Sequence, residues 1–354
     1  MSTHDEGLTA AIIGLSWIGA DPAGPASDPV LGTAIPYSHA SAYAAVPEVT
    51  RLVGCDLSEQ ARTAFAERWS GRYPGLAVHD DLETTLRETR PDIVSVVTPD
   101  HLHVPVLLAA LDAGVRMIFC EKPLALELAE ADEVVRAARA TGATISVNYT
   151  RRWMPEPVEA RAQVRAGAIG RLSQVILQLG GPRAMLFRNL THSLDLMSFF
   201  AEADPVRVHA ELEEGFADYG TAYRGDGQDP DKEPGANVYV AYDNGVRGYL
   251  AGQKSMVVGD SVQLVGSTGR IVIDSEGLRL QSATDAGMVT RRLTPQYSIA
   301  GMAAAVAELV ACHRSGTTTA SPPEEARRAV ALATGILASQ ADGTAPVTLP
   351  TLES

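Results

Sequence analysis

At 354 residues, with 45% hydrophobic and 20% charged residues, the chain is long enough for two domains with sizeable cores and ordinary in its composition. A formal net charge of −14, from 43 acidic against 29 basic residues, argues against a nucleic-acid partner, whose phosphates call for a basic surface. Cys55, Cys120 and Cys312 are too widely spaced for a zinc or redox pair, so no metal is expected. Residues 1–7 are polar and acidic, and the apolar runs are too short to span a bilayer. The expectation is a cytoplasmic protein with no membrane partner.

The first 150 residues read as repeated strand–helix units. Residues 9–15 (TAAIIGL) form an expected strand, followed by a Gly/Pro-rich stretch and a short alanine-rich helix near residues 38–46. Residues 51–56 (RLVGCD) form the second strand, with Ser58 as N-cap of the helix EQARTAFAERW. The strand IVSVVT (93–98) leads to the helix VPVLLAALDAG, with Gly114 as its C-cap. The strand MIFCEK, the helix LAEADEVVRAARATG and the strand TISVNY complete the series. Strands alternating with helices imply right-handed crossovers and a parallel sheet.

After Arg152 the pattern changes. A helix around 156–166, a strand at 174–180 and a helix at 191–201 precede a run of strands from VRVHAELEE to LRLQSA. Hairpin turns are expected at Asp243-Asn244-Gly245 and at Gly266-Ser267-Thr268-Gly269. Residues 217–234, rich in Gly, Pro and Asp, read as a long surface loop, and helices at 299–313 and 323–341 close the chain. The expected fold is α/β: an N-terminal Rossmann dinucleotide-binding domain over residues 1–150, then a C-terminal α+β domain over residues 151–354 with a large, mostly antiparallel, open-faced sheet. The closing helices can pack back on the first domain.

Five segments carry chemistry. Gly14-Leu15-Ser16-Trp17-Ile18-Gly19 is a Gly-x-Gly-x-x-Gly nucleotide turn with Ser16 at its middle glycine position. Residues 20–36 hold too much Pro and Gly to continue a helix, so an insertion is expected where the phosphate-facing helix should begin. Asp56 ends the second strand, where an acid hydrogen-bonds ribose hydroxyls and repels a 2′-phosphate, which favours NAD over NADP. Thr98-Pro99-Asp100-His101-Leu102-His103 follows the next strand; Asp100 reads equally as a helix N-cap, and His103 as a helix-start histidine. Met117-Ile118-Phe119-Cys120 runs into Glu121-Lys122-Pro123, placing Lys122 where open α/β sheets bind their ligands. Alone, Lys122 reads as a surface lysine after a strand.

His192, in Arg188-Asn189-Leu190-Thr191-His192-Ser193-Leu194-Asp195, opens an apolar helix and has an unperturbed pKa of about 6.5, suited to proton transfer. Its structural alternative is a histidine near a helix start, with Asp195 complementing the helix dipole.

Taken together, Glu121-Lys122-Pro123, the Gly14–Gly19 turn and the domain order resemble the glucose–fructose oxidoreductase/inositol dehydrogenase (Gfo/Idh/MocA) family, over nearly the whole chain. The resemblance implies an NAD-dependent dehydrogenase or reductase acting on a hydroxyl carbon of a sugar, polyol or related cyclic alcohol. Lys122 would polarise the substrate oxygen and His192 would serve as acid/base. Cofactor contacts would fall on Gly14, Ser16, Trp17, Ile18, Gly19, Asp56, Thr98, Pro99, Asp100, His103, Glu121 and Lys122. Substrate contacts would fall on Lys122, Tyr149, Arg152, Trp153, Arg188, Asn189 and His192, with packing the alternative for Trp153. The sheet's open face would support a homodimer or homotetramer. One departure stands out: many relatives place an aspartate four residues before the histidine, where this chain has Arg188, which cannot act as a base but can bind a carboxylate. The missing aspartate and the insertion keep open one rival, an NAD-recycling enzyme that eliminates a glycosidic bond after transient oxidation; because fold does not decide function, a non-catalytic sugar or nucleotide sensor is the second.

Overall fold

The computed structural model describes residues 7–21, 27–216, 219, 229–285 and 287–352. They divide into two compact units, one formed by the described residues up to Ala125 with Ala129–Trp153 and Tyr297–Pro323, the other by Leu126–Leu128, Met154–Gln296 and the residues from Glu324 onward.

The first unit is built on six parallel strands, β1 (Leu8–Ile13), β2 (Val49–Cys55), β3 (Ala77–His79), β4 (Ile93–Val96), β5 (Met117–Cys120) and β6 (Thr144–Val147), in the order β3-β2-β1-β4-β5-β6. β4 and β5 are buried at every position, which is why they read as continuous apolar runs rather than alternating ones. The helix Gly301–Ser315 belongs to this unit, packing Met302, Val306 and Leu309 into a core with Leu52, Phe65 and Phe119. β3 and the helix Leu82–Thr89 were not legible, because one spans three residues and the other is mostly polar. That helix is fixed by its cap, the Asp81 carboxylate accepting from the Thr84 N–H at 2.7 Å.

The helix after β1 is interrupted. It makes one turn, Trp17–Ala20, and helix resumes only at His39–Ala44. Ser38 Oγ donates to the Asp21 carbonyl and accepts from the Ser41 N–H, so the two ends of the insertion are tied together. Trp69 Nε1 donates to the Ala20 carbonyl at 2.5 Å. Further along, Asp28 accepts from the Val30 and Leu31 amides, both at 2.9 Å, and from the Tyr297 hydroxyl. Residues 22–26 lie outside the described residues.

The second unit holds a nine-stranded sheet of β7 (Leu172–Gly180), β8 (Pro205–Leu212), β9 (Ala236–Tyr242), β10 (Arg247–Gln253), β11 (Gly259–Gly266), β12 (Gly269–Asp274), β13 (Gly277–Thr284), β14 (Gly287–Arg292) and β15 (Val347–Thr348). The order is β14-β13-β12-β11-β7-β10-β9-β8-β15, and only β7–β10 pair in parallel among these. Both expected hairpins form, β9–β10 and β11–β12. Along β8, Val208, Ala210 and Leu212 face the core with Leu194 and Ile336, while Arg207, His209 and Glu211 are exposed. The outward Tyr239 and Tyr249 pair across β9–β10 with ring centroids 5.5 Å apart.

One expectation needs correction. Residues 217, 218 and 220–228 of the expected surface loop lie outside the described residues, but its end is internal: Glu233 is only 1% exposed.

Candidate active site

The sheet of the first unit turns from β1 leftward to β2 and rightward to β4, so its switch point lies between β1 and β4. Ligands of open α/β sheets bind outside the carboxyl ends of the strands there. Gly14 follows β1 with φ +101°, and a Cβ on it would lie 2.4 Å from the Val97 carbonyl oxygen. A Cβ on Gly19 would lie 2.3 Å from the Gly14 carbonyl oxygen. Both outer glycines of the fingerprint are therefore required by the packing of strand, turn and helix. Ser16 is not strained: φ −67° and ψ 174° suit any L-residue, and its side chain is exposed. Trp17 beside it is 49% exposed, and Ile18 is half-buried.

Asp56, just past β2, accepts from the Leu15 N–H through Oδ2 and from the Ser58 N–H through Oδ1, each at 2.8 Å. It fixes the nucleotide turn against the end of β2, and its two carboxylate oxygens retain lone pairs for further donors. After β4, Thr98 Oγ1 is buried without a hydrogen-bond partner among the described residues, and Pro99 is exposed. Asp100 opens a short 3₁₀ turn, Asp100–Leu102. The His103 ring lies on two backbone carbonyls, Nδ1 at 2.6 Å from Pro123 O and Nε2 at 3.0 Å from Thr98 O. It ties the segment after β4 to the turn after β5.

That turn is Glu121-Lys122-Pro123, with a cis Lys122–Pro123 peptide. Lys122 is half-buried between two buried neighbours. Glu121 Oε1 accepts from His39 Nε2 at 3.0 Å and from Asn148 Nδ2. His39 Nδ1 shares a hydrogen bond with Ser95 Oγ at 2.7 Å, and Ser95 Oγ another with the Tyr43 hydroxyl at 2.6 Å. Burial alone would raise the Glu121 carboxyl, but the hydrogen bond and charge of His39, the charge of Lys122 and the hydrogen bond of Asn148 outweigh it and hold it at about 2.

In the second unit, the π-helical turn Leu186–Leu190 runs directly into the helix Thr191–Ala201. Along these sixteen residues only Arg188, Asn189 and His192 are not buried. The helix thus presents three polar side chains on an otherwise enclosed element. Sequence reasoning missed what fixes its start: the buried Glu233 accepts from the Phe187 N–H and, at 3.2 Å, from the Arg188 N–H. Lys254 Nζ in turn donates to the Pro230 and Glu233 carbonyls and pairs with Glu213 at 3.0 Å. No local signal marks this contact, because Glu233 sits at the end of a Gly/Pro/Asp-rich stretch.

Tyr149, Arg152 and Trp153 are all buried. Arg152 Nη1 donates to the Ala320 carbonyl at 2.6 Å, and Trp153 Nε1 to Glu308 at 2.9 Å within the core of the first unit. Among the described residues, no His/Cys/Asp/Glu group is arranged to hold a metal ion, and no helix is long and apolar enough to cross a membrane.

A parallel sheet in this strand order, with a glycine turn after β1 and an acid after β2, defines a dinucleotide-binding Rossmann domain. The residues present fit such a group: the turn admits no Cβ at Gly14, Asp56 holds a carboxylate against that turn just past β2, and the Thr98 hydroxyl is buried without a partner among the described residues. Residues 8–149 match the model of the oxidoreductase family with an NAD-binding Rossmann fold, GFO_IDH_MocA. D-glucoside 3-dehydrogenase of Escherichia coli (strain K12) is 29% identical over 155 residues, 43% of this chain and 43% of that protein. scyllo-Inositol 2-dehydrogenase (NAD(+)) of Bacillus subtilis (strain 168) is 27% identical over 241 residues, 63% of this chain and 64% of that protein. The matched region therefore spans 43% and 64% of those relatives, under two-thirds of each. An oxidoreductase from Agrobacterium radiobacter, solved in complex with NAD+, L-tartaric acid and magnesium, shares the fold with a TM-score of 0.75 at 18% identity, covering 96% of this chain and 98% of that one. The family likeness rests on residues 8–149, which carry the NAD-binding Rossmann domain that the family's model describes.

Proposed function

We propose that the protein is an NAD-dependent dehydrogenase or reductase acting on a hydroxyl carbon of a sugar, polyol or related cyclic alcohol. The observation that carries this reading is the Glu121-Lys122-Pro123 turn at the end of β5, with a half-buried lysine fixed next to the strand ends that form a dinucleotide site. The activities of the two dehydrogenase relatives support it.

A bound nicotinamide dinucleotide supplies the hydride acceptor or donor. Gly14, Ser16 and Gly19 hold the pyrophosphate side, and Asp56 accepts from ribose hydroxyls; its charge disfavours a 2′-phosphate, hence NAD rather than NADP. Lys122 donates to the substrate oxygen and stabilises the negative charge that grows there. His192 takes the hydroxyl proton in oxidation and returns it in reduction. Arg188 and Asn189, beside His192, orient the substrate, and Arg188 favours one with an acidic substituent. Tyr149 and Arg152 contribute substrate contacts, with packing the alternative for Trp153, whose indole N–H donates to Glu308. A second copy of the chain covers the outward sheet face around Tyr239 and Tyr249, giving a homodimer or homotetramer.

The test is net NADH production at 340 nm from NAD and a panel of sugars, polyols and their acids. Lys122→Ala is expected to lower kcat/KM by about 100- to 1,000-fold on whichever substrate turns over, the scale of removing one oxyanion donor. No net NADH with any substrate, or full activity without Lys122, contradicts the reading.

A further inference from the structure

The parallel sheet of the first unit is hollow at its other end too, where β4 and β5 begin. There the helices Leu82–Thr89 and His103–Asp112 end, and with His313 of the helix Gly301–Ser315 they line an open cavity of about 880 Å³. That is within the size range of small-molecule sites, roughly 300–1,000 Å³. All of its lining belongs to the first unit. In a chain of net charge −14 the polar part of this lining is basic: Arg87, Arg90, Arg116 and His313 against Glu83 and Asp92. Leu82, Leu86 and Ala109 add an apolar wall.

Arginines at helix ends ordinarily serve the last carbonyls. Here backbone amides already do so: Arg90 N–H donates to Leu86 O at 3.1 Å, Gly114 N–H to Leu111 O at 2.9 Å and Val115 N–H to Ala110 O at 3.0 Å. Both acids are engaged, Glu83 with Arg87 at 3.5 Å and Asp92 Oδ2 with the Thr9 N–H at 2.8 Å. Arg116 Nη1 donates to the Thr141 carbonyl, and His313 Nδ1 shares a hydrogen bond with Thr144 Oγ1 at 3.2 Å. Among the described residues Arg116 pairs with no carboxylate, and the Arg90 guanidinium makes neither a hydrogen bond nor an ion pair. Arg90 also holds φ 42° and ψ 60°, a left-handed helix end where glycine fits with less strain.

We infer that this cavity binds a small organic phosphate monoester, with Arg90 and Arg116 on the phosphate and Leu86 and Ala109 against the organic body. A guanidinium presents its N–H groups as a planar fork that matches a pair of phosphate oxygens. Two such forks and an imidazole suit a doubly charged group with three acceptor oxygens better than a carboxylate with two. The apolar wall gives the rest of the ligand a surface to leave water against. The site lies at the amino ends of the strands, opposite the glycine turn after β1, so it is separate from the proposed dehydrogenase site and does not depend on it.

The test is a calorimetric titration of the full-length chain with phenyl phosphate and with inorganic phosphate, each with and without saturating NADH. Saturable binding of phenyl phosphate is expected, tighter than that of inorganic phosphate and unchanged by NADH. Arg90→Gly is expected to weaken it about tenfold or more, the scale of a lost charged hydrogen bond. That variant should melt no lower than the wild type, because glycine accepts the φ of 42°, so weaker binding cannot be put down to unfolding. Arg116→Gln is expected to weaken binding to a similar degree. Absence of phenyl phosphate binding overturns the inference, as does binding that survives both substitutions. Displacement by NADH would put the phosphate at the glycine turn and overturn it equally. Equal affinity for inorganic phosphate would leave the apolar wall without a role and contradict an organic ligand.

Discussion

The two segments that present polar side chains are built in opposite ways. The turn after β5 is held by its neighbours in the sheet, with Val96 O accepting from the Glu121 N–H at 2.8 Å and Cys120 O from the Asn148 N–H at 2.7 Å. The start of the His192 helix is held instead by Glu233, a residue brought from beyond β8. Both leave a few polar groups accessible on an enclosed element. The first does so through neighbouring strands together with the buried His39 and Asn148 side chains, the second through one carboxylate from a loop. The first kind of site announces itself in a short stretch of sequence; the second does not.

Acid titration is the strongest way to break this contrast. The Glu121 carboxyl is held at about 2 against an ordinary 4.5, so its contribution is fully present above pH 4.5 and is lost as pH falls toward 2. Between about pH 5 and about pH 2, the stability advantage of the wild type over Glu121→Gln is expected to shrink by about 3 kcal/mol, measured by denaturant unfolding at each pH. A gap that does not narrow would mean that His39 and Asn148 do not hold an ionised carboxylate.

A smaller effect is expected in the second unit. Glu233→Ala removes the acceptor for the Phe187 and Arg188 amides and should cost about 1–2 kcal/mol, the scale of a lost helix cap. Hydrogen exchange should quicken at those two amides and along the following helix, while protection of β4 and β5 stays as it was. Faster exchange in both units would erase the distinction between the two supports.

Much of the architecture was legible for physical reasons visible in particular residues. Continuous apolar runs marked β4 and β5, and alternation with Asn-Gly and Gly-Ser-Thr-Gly turns marked the second sheet. The interruption after Ala20 followed from proline and glycine content alone. What the residues could not disclose were partners distant in sequence. His39 reaches Glu121 across 82 positions and Ser95 across 56, and no periodicity encodes either contact. Trp153, for which packing was the alternative reading, donates to Glu308 across 155 positions, and Arg152 to the Ala320 carbonyl across 168, contacts that no local pattern encodes. Glu233 was hidden by a loop-like composition that describes the stretch before it and not its buried end.

The central claim is that the turn from Gly14 to Gly19, with Ser16 at its middle position and an interrupted helix behind it, still receives a nicotinamide dinucleotide. Titrating purified, nucleotide-free protein with NADH and separately with NADPH, while following tryptophan fluorescence, tests this most directly. Trp17 stands half-exposed in the turn and reports on it. Saturable quenching, tighter for NADH than for NADPH, is the predicted result. Folded protein that binds neither nucleotide would contradict the account.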